Sequence, residues 1–208
     1  MSYAVNHIAH LIVTLDDISP VVWRRIEVPL TASLRAIHDV IQATMLFEGR
    51  HQFEFSIGTG DNESRYGIPD PDGLSSEIMD ARKVKLDRFI EEGVKSFSYT
   101  YDFGDDWHHT IVIEAVMVEN PLLEYPRFVD GANRAPPEDV GGQPGFEHFL
   151  IVMANPAHPE HSDIKRWHGG KFDPGNISET EITTRIGKLA RRRTQARAAA
   201  AKSRNKLN

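Results

Sequence analysis

The fold of this chain is decided by one stretch: Phe97-Ser98-Tyr99-Thr100-Tyr101-Asp102-Phe103-Gly104-Asp105-Asp106-Trp107-His108-His109-Thr110-Ile111-Val112-Ile113-Glu114. Aromatic residues alternate with polar ones up to Phe103, and apolar residues alternate with polar ones again from Trp107. A period of two is typical of a half-buried strand. Gly104-Asp105-Asp106 supplies turn residues between the two runs. The stretch therefore predicts an antiparallel β-hairpin with three acids and two histidines near its tip.

The residues before the hairpin predict two strands, a helix and a third strand. The strands are expected at residues 7–15, 21–28 and 53–57, where β-forming residues lie between turn residues. The helix is expected after a cap at Thr31 or Ser33, because apolar residues then recur every three or four positions. The order strand–strand–helix–strand is compatible with a β-grasp-like arrangement, in which one helix packs across a mixed sheet.

Most of the remaining periodic segments predict helices. Short helices are expected at residues 84–90, 146–155 and 159–167. A last helix follows Ser178-Glu179-Thr180-Glu181, which has the pattern of a capping box. Helical segments therefore dominate the C-terminal part of the chain.

Two further segments set the expected domain organisation. Residues 58–73 and 120–145 are rich in turn residues and are expected to be loops. We expect one α+β domain over residues 1–190, with a mixed, largely antiparallel sheet, a helix packed across it and a C-terminal helical segment. Residues 191–208 are basic and rich in alanine, and are expected to form a helical or disordered tail.

The composition excludes several classes of protein. The 208 residues include no cysteine, which excludes disulfides and thiolate metal sites. The N-terminus has no basic segment followed by an apolar run, and no apolar run approaches the length needed to span a membrane. We therefore expect a cytoplasmic protein without a membrane partner.

The charge is unevenly distributed along the chain. Residues 182–208 hold nine Lys/Arg and no acid, whereas residues 1–181 hold 15 Lys/Arg and all 30 Asp/Glu. An acidic body argues against a nucleic-acid-binding face on the domain itself. The tail would either contact phosphates or fold back on the acidic body. Its candidate nucleic-acid-binding residues are Arg191, Arg192, Arg193 and Arg197.

A candidate site lies at the hairpin tip and in the Pro- and Gly-rich loop that follows. The candidate residues carry carboxylate or imidazole side chains: Asp102, Asp105, Asp106, His109, Glu138 and Asp139. Carboxylates with one imidazole suit Mg²⁺, Mn²⁺ or a catalytic Zn²⁺, so a divalent metal is the candidate cofactor. Asp102, Asp105 and His109 are its candidate ligands. The same groups would also serve as a general base and its orienting partner.

A structural interpretation of these residues stays open beside the functional one. Asp105 and Asp106 are common turn formers, and Asp102 would accept backbone N–H groups of the turn. His109 would be a buried, hydrogen-bonded core residue. The two acids of the later loop would cap a turn or a helix.

Four segments of the chain together form a more specific pattern: Val22-Trp23-Arg24-Arg25-Ile26, Tyr99-x-Tyr101-Asp102-Phe103-Gly104-Asp105-Asp106-Trp107-x-His109, Ala135-Pro136-Pro137-Glu138-Asp139-Val140-Gly141-Gly142 and Gly169-Gly170-Lys171-Phe172-Asp173-Pro174. This combination resembles the plasmid pRiA4b ORF-3-like family over roughly residues 7–190. The resemblance implies a single α+β domain of a kind found on plasmids, on mobile elements and in chromosomes. It also implies that His109, rather than His108, matches the histidine of the family.

The resemblance implies a fold more than an activity, because the family has no established biochemical function. Family members often have cysteines in the stretch corresponding to Pro126–Pro137. This chain has none there, so a thiol role is not carried over.

Three hypotheses about function follow. The first is a non-enzymatic binding or accessory module in mobile-element or nucleic-acid transactions, acting through the basic tail. The alternative is a metal-dependent hydrolase-type enzyme that uses the Asp/His cluster of residues 102–109. A second alternative, a protein–protein interaction domain, rests on fold analogy. The metal hypothesis requires that the acids and the histidine converge on a cavity that solvent reaches.

Overall fold

The computed structural model describes residues 6–69 and 78–205. These residues contain one eight-stranded sheet. Its strands are β1 (His7–Leu15), β2 (Val22–Pro29), β3 (Phe53–Ile57), β4 (Ser64–Gly67), β5 (Ile78–Asp80), β6 (Ser96–Tyr101), β7 (Trp107–Val118) and β8 (Arg127–Ala132). The spatial order is β5-β4-β3-β6-β7-β1-β2-β8. β4 and β5 are parallel and the other neighbours are antiparallel, which confirms the mixed, largely antiparallel sheet.

Five α-helices accompany the sheet in the described part of the chain. They are α1 (Leu34–Met45), α2 (Leu86–Glu91), α3 (Gly142–Ala154), α4 (His161–His168) and α5 (Glu179–Asn205). Ser33, rather than Thr31, caps α1, because its hydroxyl accepts a hydrogen bond from the backbone N–H of Ala36 at 3.2 Å. Together with the sheet, these helices confirm the predicted α+β class.

Helix α1 lies across the sheet, as predicted. Its His38 ring stacks on Phe53 of β3 with the ring centroids 3.8 Å apart. His38 Nδ1 also lies 2.8 Å from the hydroxyl of Tyr99 on β6. Helix α1 also contacts β2, and α5 packs against α1. One face of α1 is buried against the sheet, so its apolar residues recur every three or four positions, and the sequence therefore predicted the helix.

The predicted hairpin is β6 and β7, and it occupies the middle of the sheet. Tyr99 lies opposite His109 and Tyr101 lies opposite Trp107. These side chains are buried, as the alternation predicts. Phe103 departs from the prediction, because β6 ends at Tyr101 and Phe103 lies in the turn with half of its surface exposed.

Two strands lie in segments that were expected to be loops. β4 falls within residues 58–73 and β8 falls within residues 120–145. β8 is an edge strand paired with β2, and its side chains are intermediate or exposed, so it lacks a buried apolar alternation. Edge strands with few buried side chains give weak sequence patterns. Residues 70–73 of the first predicted loop lie outside the described residues.

Arg24 on β2 joins three elements from a fully buried position. Its guanidinium donates to the carbonyl oxygens of Thr44 at 2.8 Å, Trp23 at 2.8 Å and Ala132 at 3.0 Å. Burial lowers the pKa of Arg24 to about 10. Gly131 makes room for it, because a Cβ at that position would lie 2.9 Å from Cδ of Arg24. The last turn of α1 is thereby fixed to β2 and β8.

Helix α5 continues through residue 190, where the tail was expected to begin. Its first part contributes three buried residues: Ile182, Ile186 and Ala190. Beyond them, Arg193 and Arg197 pair with Glu119, which follows β7, at 3.1 Å and 3.0 Å. The basic segment thus contacts the acidic body, and residues 206–208 of the predicted tail lie outside the described residues. Among the helices described, none is both long enough and apolar enough to cross a membrane.

Candidate metal centre

Four side chains converge beside the hairpin tip, and we call this group the His51 site: His51, Asp102, Glu138 and Asp139. His51 Nε2 lies 3.0 Å from Asp139 Oδ1, 3.4 Å from Asp102 Oδ2 and 3.6 Å from Glu138 Oε1. One ligand atom from each of His51, Asp102 and Asp139 lies within 4.8 Å of the other two. The side chains of His51 and Asp139 are 31% and 55% exposed, so solvent reaches the site.

The Nε2 atom of His51 is the most informative atom of the site. It is buried, and none of the three surrounding carboxylates forms a hydrogen bond of normal geometry with it. Buried polar atoms nearly always have a partner, and each exception needs an explanation. The Nε2 atoms of His10 and His109 are also buried without a hydrogen bond among the described residues, so the three carboxylates around His51, rather than the unpaired atom alone, set His51 apart. Such an imidazole nitrogen, facing two or three carboxylate oxygens, has the chemistry of a metal ligand.

The backbone of the sheet places His51 next to Asp102. β3 pairs with β6 so that Phe53 lies opposite Tyr101, and the Asp102 N–H donates to the carbonyl of Gln52 at 2.9 Å. His51 precedes the first residue of β3, and Asp102 follows the last residue of β6, which is the strand paired with it. Two strand ends that meet in register bring the imidazole and the carboxylate together.

The two carboxylate oxygens of Asp102 have different partners. Oδ1 accepts hydrogen bonds from the backbone N–H of Gly104 at 2.9 Å and of Asp105 at 3.4 Å, which holds the turn. Oδ2 faces His51. Asp102 is itself in the left-handed region with φ 57°, which Asp tolerates better than most residues. The same side chain thus stabilises the turn and contributes to the His51 site.

Glu138 is held by contacts on both oxygens. The hydroxyl of Tyr101 donates to Oε1, and the backbone N–H of Glu48 donates to Oε2 at 3.0 Å. Burial and the hydrogen bond to Glu138 raise the pKa of Tyr101, so its hydroxyl stays protonated and acts as a donor. The Tyr101 hydroxyl also accepts from the N–H of Arg50 at 3.2 Å. These contacts connect the loop of Glu138 and Asp139 to the hairpin and to the segment before β3.

With this geometry in place, comparison with known proteins identifies the family. The family model described as plasmid pRiA4b ORF-3-like protein matches residues 7–181. The chain belongs to the plasmid pRiA4b ORF-3-like family. This confirms the resemblance, and it places the whole hairpin and the His51 site inside the family domain.

Two relatives of this family member show how far the similarity extends. An uncharacterised protein, y4hQ, from Sinorhizobium fredii is 36% identical over 203 residues, which cover 91% of this chain and all of that protein. A crystal structure of a protein of unknown function from Methanosarcina mazei Go1 superposes with a TM-score of 0.74 at 32% identity, covering 82% of this chain and 94% of that one. The fold and the family are therefore established, and the relatives' descriptions name no activity.

The structure places Asp105 and Asp106 of this pRiA4b ORF-3-like protein outside the His51 site. Asp105 Oδ2 accepts from the N–H of Gly141 at 3.2 Å, and a Cβ at Gly142 would lie 2.8 Å from the Asp105 carbonyl oxygen. Asp105 thereby connects the turn to the start of α3. Asp106 pairs with His108 at 3.1 Å on the exposed side of the hairpin.

His109 lies on the opposite, buried face of β7. Its Nδ1 is 3.1 Å from the carbonyl oxygen of Trp107 and 3.3 Å from that of Tyr99, and its ring meets Phe47 edge-on. Burial lowers its pKa to about 4, so the ring is neutral at pH 7. The structure does not bring His109 or Asp105 to the His51 site, although both were candidate ligands. For His109 it supports the structural interpretation.

Sequence reasoning missed His51, which takes the place that was expected for His109. His51 stands in no motif, and its neighbours give no periodic pattern. The signal that would have found it is the pairing of β3 with β6, because the residues flanking two paired strand ends are neighbours.

The tail arginines fall into two pairs. Arg193 and Arg197 share Glu119 as a partner. Arg191 and Arg192 are exposed, and neither forms an ion pair with another described residue. Of the four candidate nucleic-acid-binding residues, two are therefore engaged by the body of the protein.

Proposed function

We propose that the protein binds a divalent metal ion through His51, Asp102 and Asp139 and uses it in hydrolase-type catalysis. The observation that carries this proposal is the buried His51 Nε2, which forms no hydrogen bond within residues 6–69 and 78–205 and is surrounded by carboxylates. An imidazole with hard oxygen ligands suits Mn²⁺, Mg²⁺ or a catalytic Zn²⁺. Three protein ligands leave coordination positions for water and substrate, which is the arrangement of a catalytic rather than a structural ion.

Glu138 has a separate role in this proposal. It lies at the edge of the site, 3.6 Å from His51 Nε2, and Tyr101 fixes its orientation. An ion held by His51, Asp102 and Asp139 would increase the acidity of water at the site, and a carboxylate in the position of Glu138 would accept the proton. Glu138 is thus the general base, and Tyr101 is its positioning residue.

The backbone of the ligand residues is compatible with the proposal. Asp102 and Asp139 have φ of 57° and 58°, in the left-handed region that non-glycine residues avoid. Residues kept in such conformations concentrate at ligand-binding sites, where the surrounding structure holds them. Two of the three proposed ligands share this property, but so do Asp17 and Asp106, which lie in turns outside the His51 site, so the property does not distinguish ligands from turn residues.

The test is direct measurement of metal binding. Purified protein is stripped with EDTA, and Mn²⁺ and Zn²⁺ binding are measured by calorimetry for the wild type and for His51→Ala and Asp139→Asn. Loss of either ligand should weaken binding by more than the roughly 10- to 100-fold effect typical of outer partners of a metal site. Asp106→Asn, on the exposed face of the same hairpin, is the matched control and should bind like the wild type. Equal affinities in all four proteins would refute the assignment.

A second candidate function is binding of nucleic acid through the C-terminal helix, with an accessory role in mobile-element transactions. Arg191 and Arg192 favour it, because both are exposed and neither forms an ion pair within the described part of the chain. If Glu119 competes with phosphates for Arg193 and Arg197, Glu119→Gln should increase affinity for double-stranded DNA at low salt, and Arg191→Gln/Arg192→Gln should reduce it. Unchanged binding in both variants would exclude the helix as the contact surface. Each lost phosphate contact should also reduce the salt dependence of binding by about one unit of slope.

A further inference from the structure

A polar cleft adjoins the His51 site. Its volume is about 350 Å³, and Glu138 and Asp139 form one of its walls. Arg134, which follows β8, Trp167 near the end of α4 and Arg185 on α5 form other parts of the lining. We call this space the Arg134 cleft. A molecule inside it would lie directly against two carboxylates of the proposed metal centre.

The arginines of the cleft differ in their partners. Arg185 donates to Glu181 at 2.7 Å and to the carbonyl of Phe47 at 2.9 Å. Arg50 pairs with Glu48. The guanidinium of Arg134, in contrast, has no carboxylate partner among the described residues.

Phe172 holds Arg134 in place, since the guanidinium carbon lies 5.1 Å from the centre of that ring. A stacked guanidinium keeps its N–H donors free at its edge. Arginine in this state is well suited to bidentate binding of a phosphate. Arg134 therefore has the properties of an anion-binding group.

Trp167 gives the cleft an aromatic wall. Half of its surface is exposed, and Phe149 supports the ring edge-on with the centroids 6.0 Å apart. A half-exposed indole in the lining of a cleft offers an aromatic surface for a planar base. Phosphate-binding and base-binding groups thus line the same small cleft.

We propose that the Arg134 cleft binds a mononucleotide, with the phosphate at Arg134 and the base against Trp167. The volume lies at the lower end of the range for small-molecule sites, which favours a single nucleotide over a longer strand. Binding of the nucleotide does not depend on the proposed function. The reaction does, because hydrolysis of the phosphate ester would take place at the His51 site. In that reaction the water oxygen forms a new bond to phosphorus, the ester P–O bond breaks, and the leaving oxygen takes a proton.

The experiment measures binding of AMP by calorimetry, once in EDTA and once with saturating Mn²⁺. Arg134→Gln should weaken AMP binding by about 10-fold or more under both conditions, because it removes a charge-assisted pair. Trp167→Leu should weaken AMP binding by about 5-fold or more and leave the binding of inorganic phosphate unchanged, because only the base stacks. Arg166→Gln is the matched control, since this exposed α4 arginine pairs with Asp163 and does not line the cleft. Thermal melts confirm that the variants are folded.

The outcomes separate this inference from the metal proposal. AMP binding that depends on Arg134 in EDTA supports the cleft even if no ion binds at His51. Equal AMP affinity in the wild type and Arg134→Gln overturns the cleft, whatever the metal measurements show. AMP and inorganic phosphate that bind equally, with no effect of Trp167→Leu, overturn the assignment of a nucleotide. A single-stranded oligonucleotide that binds far more tightly than AMP overturns the assignment of a mononucleotide.

Discussion

Replacement of Tyr101 by phenylalanine tests how the Glu138 loop is attached to the hairpin. The substitution removes one hydroxyl and leaves the buried ring, which stacks on Phe47 with the centroids 5.0 Å apart. It deletes the hydrogen bond to Glu138 and removes the acceptor for the N–H of Arg50. A hydrogen bond to a charged group contributes about 1.5–3 kcal/mol. We therefore expect Tyr101→Phe to lower the free energy of unfolding by about 2 kcal/mol, or the melting temperature by about 4–8 °C.

The pH dependence gives a second check on the same variant. The pKa of Tyr101 is raised in the folded protein by burial first and by Glu138 second, whereas in the unfolded chain it is about 10. The unfolded state therefore releases its proton at lower pH than the folded state does. The contribution of the tyrosine to stability is complete below pH 10 and declines above it. The difference in stability between the wild type and Tyr101→Phe should shrink as the pH rises from 9 to 11.

Urea unfolding followed by circular dichroism measures both effects. Tyr125→Phe is the matched control, because the Tyr125 hydroxyl is also buried but accepts only a neutral hydrogen bond, from the N–H of Asn120 at 3.2 Å. Tyr125→Phe should lower the free energy of unfolding by about 1 kcal/mol or less. If Tyr101→Phe costs no more than the control, or if its effect does not change at alkaline pH, then Tyr101 does not donate to the Glu138 carboxylate in solution.

Three further predictions concern the buried histidine, the loop contact and the helix cap. The pKa of His109 is lowered by burial to about 4, so the unfolded state binds more protons below pH 6.5. Urea unfolding should therefore show stability falling from pH 6.5 to 4, with a shallower fall in His109→Gln. Gly142→Ala should destabilise the protein by about 1–3 kcal/mol in thermal melts, because φ is 66° and Cβ would meet the Asp105 carbonyl oxygen at 2.8 Å. Gly93→Ala should destabilise the protein less than Gly142→Ala does, because Gly93 also has positive φ but no atom lies near the added Cβ. Ser33→Ala should cost about 1 kcal/mol by the same assay through loss of the α1 cap.

The parts of the fold that were predictable are those whose side chains are sorted between core and solvent. Helix α1 and strands β1, β2, β6 and β7 each show this sorting as a period in the sequence, and each lies close to its predicted position. β8 buries no side chain fully, and β4 has four residues with Tyr66 as its one buried side chain, so neither strand shows a period in the sequence. Pairing between distant strands is information that no local pattern contains.

The sequence predicted part of the candidate site, as it did for the fold. Asp102, Glu138 and Asp139 were identified because an unusual density of acids marks a turn and a loop, and the structure brings these three together. His109 was selected because it lies in the same hairpin and matches the family pattern, but its side chain is buried beside Tyr99 and Phe47. His51 required knowledge of which strand end lies beside Asp102. The density of acids in the sequence thus identified the carboxylates. The pairing of β3 with β6, which are distant in sequence, determines that His51 is the histidine beside them.

The structural and functional interpretations of Asp102 do not exclude each other. Oδ1 stabilises the turn through Gly104, and that contact fixes the direction of the second oxygen. Oδ2 then lies 3.4 Å from a buried imidazole nitrogen that forms no hydrogen bond with any residue the structure describes. A carboxylate needed only for the turn would not explain that nitrogen, and a carboxylate needed only for a metal would not require the turn. One residue thus both closes the turn and presents an oxygen to His51, which is the preorganised geometry that the proposed metal ligand requires.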